Sequence, residues 1–134
     1  MRQISQLVAV LAKVTGLAKA GELQKAYQAI DQAIEGALGL DANIVRHLDQ
    51  AGLLTLLSSG NGLDAGKAYF LANLLAAEGD LLALQKHSAA SQQNYAQALD
   101  LCLRLSDSKS AGMEDELAAK IQELEGKLSA LNNS

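Results

Sequence analysis

Apolar residues recur at helical spacing through most of the chain. Ile4, Leu7, Leu11, Val14 and Ala18, with Val8 and Thr15 beside them, form one stripe. They predict a helix from Arg2 to Lys19 that stops at Gly21, a residue suited to the left-handed conformation of a helix C-terminus. Leu23, Ala26, Ile30, Ala33 and Ala37 predict a second helix over 22–38, with polar side chains on its remaining faces. A turn this short forces the two into an antiparallel hairpin. Asp41 then reads as an N-cap, and Asn43 to Asp49 and Gly52 to Leu57 as short helices.

Ser58 to Gly62 brings together small, φ-permissive residues without an apolar period, which predicts a loop dividing the chain into halves. Beyond it Asp64 is placed to cap a helix whose inward positions Ala68, Leu75, Leu82 and Ala89 share one heptad phase, with Ala72 and Gly79 between them. The unbroken phase favours one long helix in which Gly79 permits close helix approach; a break at Gly79 with Asp80 as a new cap is the alternative. Gln92-Gln93-Asn94 predicts the following turn, after which Tyr95, Ala98, Leu99, Cys102 and Leu105 carry a helix to Ser106. Ser106 to Gly112 is polar and reads as a linker. In the last helix Leu117, Ile121, Leu124, Leu128 and Leu131 alternate spacings of four and three, the narrow seam of a helix packed along one line. That seam either folds back on the bundle or makes a homodimer. Residues 1–106 form a helical domain, and 107–134 a linker and an amphipathic helix packed on it.

Composition sharpens this picture. The 134 residues are 49% apolar and 19% charged, and they include no proline and few β-branched residues, so the fold class is all-α. A net charge of -4 repels a phosphate backbone, and the lysines and arginines are scattered, so neither nucleic acid nor a membrane surface is an expected partner. No apolar run is long enough to span a bilayer. Arg2, the run Leu7 to Ala12 and Ala18-Lys19-Ala20 imitate a secretion signal, but Lys13 cuts the run short and the helical stripe explains it better. The lone Cys102, between two leucines, reads as a buried hydrophobe and agrees with a cytoplasmic location.

Candidate chemistry is sparse. His47 and His87 stand apart without a carboxylate at ligand spacing and read as solvated, so no metal or other cofactor is expected. Gly60-Asn61-Gly62 lacks the lysine and the preceding strand of a phosphate cradle. Glu22, Asp31 and Glu35 are the tempting carboxylates; Asp31 and Glu35 share a face opposite the apolar stripe, which predicts a solvated pair. Tyr27, Tyr69, Phe70 and Tyr95 are candidates to line a pocket between helices, or to fill gaps around alanine-rich crossings.

Self-comparison places Leu23 on Tyr95, Ala26 on Ala98, Ile30 on Cys102 and Ala33 on Leu105. This order of bulky and small residues, with Gly21 at the turn, resembles the second helix of a tetratricopeptide repeat. The layout as a whole, from Met1-Arg2-Gln3-Ile4 through Gly39-Leu40-Asp41 to Gln93-Asn94-Tyr95, is similar to short bacterial helical proteins related to such repeats. The resemblance implies antiparallel hairpins stacked in a right-handed, TPR-like arrangement and a bacterial origin. It brings no activity or catalytic residue.

The expected function is therefore non-enzymatic: a protein-interaction or scaffold module with an unidentified protein partner. A small-molecule-binding helical bundle and a structural homo-oligomer acting beside an operon partner are the alternatives.

Overall fold

The computed structural model describes residues 2–59, 62–107 and 113–132. Within them the chain forms α1 (Arg2–Lys19), α2 (Leu23–Leu38), α3 (Ala42–Arg46), α4 (Gln50–Leu57), α5 (Ala65–Leu84), α6 (Ser88–Asp107) and α7 (Glu114–Asn132). The fold is all-α. Among the described residues its one departure is a minimal antiparallel ladder between Ser58–Ser59 and Gly62–Leu63; Gly60 and Asn61 of the predicted loop lie outside the described residues, as do 108–112 of the linker.

Local chemistry sets the helix ends. Gly21 adopts φ 79°, its N–H donates to Ala18 O and that of Glu22 to Leu17 O, so α1 ends in a left-handed cap that turns directly into α2. Asp41, Asp49 and Asp64 start α3, α4 and α5 by accepting from the backbone N–H of Asn43, Gly52 and Lys67. Caps of this kind contribute about 1 kcal/mol each.

The helix through Gly79 is continuous, but it stops at Leu84, before the Gln92-Gln93-Asn94 segment predicted as the turn. Lys86 takes φ 63°, its N–H donates to Ala83 O and that of His87 to Leu82 O, the same cap that Gly21 makes, built here on a lysine. Gln92, Gln93 and Asn94 consequently lie inside α6, and Ala89, assigned inward by the heptad phase, is exposed. Asn94, which precedes Tyr95 as Glu22 precedes the aligned Leu23, is a helix-interior residue, whereas Glu22 is the N-cap of α2.

At the centre is α5, buried on every side from Phe70 to Gly79, because α1, α2 and α6 all pack against it. Ser91 Oγ donates to Gly79 O at 2.8 Å and Asn94 Nδ2 to Leu75 O at 3.2 Å; partners that descend along α5 as α6 ascends show the two to be antiparallel. Seen from its other side, α6 is covered by α7.

The leucine seam of α7 is turned onto α6. Leu117 and Leu124 are buried, and Ile121, Leu128 and Leu131 pack partly buried against the same core. The contact seals Cys102, whose thiol is pushed up to about 11, first by burial and further by Glu123, against the opposing effect of Lys120. Leu124→Glu forces a carboxylate into this interface. The expected result is release of α7, loss of its far-UV signal because a lone helix of this length is marginal in water, and reaction of Cys102 with a thiol reagent about tenfold faster or more. An unreactive thiol with full helicity would show that this stripe does not hold α7.

Candidate functional site

The most polar part of the interior is organised around Glu78. This residue lies within the apolar centre of α5, and its side chain is 9% exposed. A carboxylate so placed needs partners, and two helices supply them. Arg46, the last residue of α3, donates to Glu78 Oε1 from Nε at 3.1 Å and from Nη2 at 2.5 Å. Nη2 also reaches Asp31 on α2. From α6, Asn94 Nδ2 donates to Glu78 Oε2 at 2.9 Å.

The five residues of α3 can aim Arg46 because they are held at both ends. Asp41 caps the helix, Glu35 Oε2 accepts from Ala42 N at 3.2 Å, and Ala42 and Val45 are buried. Burial lowers the affinity of the Arg46 guanidinium for its proton, but hydrogen bonds and charge from Glu78 and Asp31 outweigh it, and the net displacement is upward. Arg46 is a fixed cation.

Beside this pair is a half-open cleft of about 440 Å³. One side is the α3–α4 arm, the other the α5–α6 hairpin. Ile34, Leu53, Leu71 and Leu75 form an aliphatic floor, while Arg46, Glu78 and Asn94 stand on the wall. Gln93 and Gln97 of α6 and Asp49 of α4 complete the rim. Near the mouth, Gln50 donates across to Asp100, which also accepts from Arg104 Nε at 2.8 Å, so the arm is tied to α6.

The four aromatic candidates do not converge. Tyr27 turns its hydroxyl to Gln85 Oε1 at 2.7 Å, and burial raises its phenol pKa. Tyr69 is half-buried. Phe70 faces a shallow recess against α1 and α2, beside Val10, Ala33 and Ala37. Tyr95 borders a separate apolar recess of about 500 Å³ between α1, α5 and α6, with Val14, Ala18, Leu81 and Leu84. There its hydroxyl donates to Asp80 Oδ1, which also accepts from Lys127 Nζ at 2.8 Å.

The carboxylates also differ from expectation. Asp31 is engaged by Arg46, and Glu35, though exposed, accepts the amide that opens α3, so the two do not form a free solvated pair. His47 and His87 are exposed as predicted. Among the described residues, no group of three or more His, Cys, Asp and Glu side chains is placed to hold a metal ion, and no helix is long and apolar enough to cross a membrane.

Comparison with protein-family models, curated proteins and solved structures finds no match to the chain. The cleft is thus read from its own chemistry. Sequence reasoning missed Arg46 and Glu78, although one signal for them was present: Glu78 follows the largely apolar stretch Phe70 to Ala77 on a helix that is buried on every side, where a carboxylate needs a partner from elsewhere in the fold.

Proposed function

We propose that this chain is a non-enzymatic protein-interaction module, a TPR-like stack of helical hairpins that receives a segment of a partner polypeptide in the cleft between the α3–α4 arm and α6. The observation that carries the reading is the Arg46–Glu78 pair on the cleft wall. Buried ion pairs are often no more stabilising than apolar residues of the same volume, so stability alone is a weak reason for one here. Beside an open recess the pair has a second use, because it fixes charge and hydrogen-bonding groups next to an aliphatic floor. Apolar surface with a few placed polar groups is how binding sites combine affinity with orientation. Cys102 is sealed under α7, both histidines are exposed and outside the cleft lining, and the carboxylate on the cleft wall, Glu78, has one oxygen held by Arg46 and the other by Asn94, which supports binding over catalysis.

The test is a photo-crosslinking residue at Gln97, on the cleft, with Gln24 on the exposed face of α2 as the control position, in cells that make the protein. A discrete polypeptide adduct is expected at Gln97 alone. The partner identified from it should then bind the purified wild-type chain and lose about tenfold or more in affinity to Gln97→Trp, which fills the cleft. Equal adducts at both positions, or an affinity untouched by Gln97→Trp, would overturn the reading.

A further inference from the structure

We infer that the cleft recognises an uncharged unit, one branched aliphatic side chain together with the amide that carries it, and selects against carboxylates. This rests on the interaction reading above and specifies the chemistry of what enters.

The floor sets the first half of the specificity. Ile34, Leu53, Leu71 and Leu75 offer only methyl and methylene surface, and about 440 Å³ accommodates a leucine-sized group with its flanking amide. The rim sets the second half. Gln93 and Gln97 lie four residues apart on one face of α6, and among the described residues neither side-chain amide has a hydrogen-bond partner. Each carries both a donor and an acceptor, so together they can give and take a hydrogen bond from an amide in either orientation. Arg46 adds Nη1, which no described residue occupies, as a further donor to a carbonyl oxygen.

Charge excludes the alternatives. The Arg46 guanidinium is offset by Glu78 and Asp31, and Asp49 adds a further carboxylate at the rim, so an entering anion meets an excess of negative charge. A cation gains little, because Glu78 already accepts from Arg46 on one oxygen and from Asn94 on the other, and the guanidinium beside it is permanently charged. The group that satisfies floor, rim and charge together is a neutral amide on an aliphatic body.

Three leucine derivatives separate these cases: N-acetyl-leucinamide, neutral; N-acetyl-leucine, of the same size and anionic; and leucinamide, which lacks the acetyl group and is cationic near neutral pH. Titrated into the full-length ¹⁵N-labelled chain, the neutral probe is expected to shift the side-chain amide signals of Gln93 and Gln97 with a Kd in about the millimolar range, as its size allows. The cation should bind about threefold more weakly and the anion about tenfold or more, and Gln97→Glu should weaken the neutral probe about fivefold while Gln24→Glu leaves it unchanged. Tighter binding of either charged probe, no shift at Gln93 and Gln97, or indifference to Gln97→Glu would overturn the inference. If the predicted order holds but crosslinking yields no polypeptide, this recognition chemistry stands with a free small amide as occupant, and the protein-partner reading falls. A confirmed partner with a charged preference has the opposite meaning.

Discussion

Arg46→Met is expected to destabilise the fold by about 2–4 kcal/mol at neutral pH, the lower part of the range for breaking a buried ion pair because Arg46 and Asp31 remain partly in water. Methionine keeps most of the packing volume, so the loss reports the charge stranded on Glu78. In the wild type the folded-state pKa of Arg46 is raised, so its contribution is fully present below the unfolded value and disappears only at pH far above any working range. Urea unfolding of the wild type and the variant at two pH values measures the loss and checks that the wild-type contribution stays constant between them. Adding Glu78→Leu to Arg46→Met should recover most of the loss, since both charges then leave together. A loss below about 0.5 kcal/mol would show that solvent, not Arg46, satisfies Glu78.

What the chain discloses locally and what it conceals follow from the range of the interactions. Gly21, Asp41 and Asp64 act on the residues beside them, so the α1–α2 turn and the starts of α3 and α5 are legible one position at a time. The α7 stripe is legible for the same reason. The α5–α6 turn is not, because its left-handed position is held by Lys86 and no glycine or proline marks it, while the polar run Gln92 to Asn94 imitates a turn. In the folded chain that polar run is accounted for within α6: Gln92 and Gln93 face outward and Asn94 bonds Glu78. The site is hidden more deeply. Asp31, Arg46, Glu78 and Asn94 belong to four helices, and nothing in their spacing relates them until α5 is enclosed. Its central carboxylate is then met by Arg46 from α3 and Asn94 from α6, with Asp31 of α2 sharing the guanidinium. The aromatic residues misdirect for the opposite reason, since each serves the crossing of its own helices and no shared cavity gathers them.

The second large effect is expected at Gly79. In an exposed helix, replacing glycine with alanine gains about 1 kcal/mol. Here the added methyl would stand 2.7 Å from Tyr95 Cε1 and 2.9 Å from Cδ1, closer than carbon atoms approach without displacement. The ring cannot move freely. It is buried, its hydroxyl holds Asp80, Lys127 Nζ lies 5.4 Å from its centroid, and Ser91 Oγ draws α6 onto the Gly79 carbonyl. The sign of the substitution should therefore reverse, with Gly79→Ala losing about 1–3 kcal/mol and Gly79→Val more, since a branched side chain cannot be accommodated by a small ring shift. Tyr95→Leu removes the obstructing ring edge at its own packing cost, so in the double variant the alanine should do less harm than in the wild-type background. That coupling, measured by chemical unfolding of the four proteins, separates steric conflict at the α5–α6 crossing from any general effect of altering the central helix. If Gly79→Ala instead stabilises the chain, the two helices do not approach as closely as the Ser91 and Tyr95 contacts require.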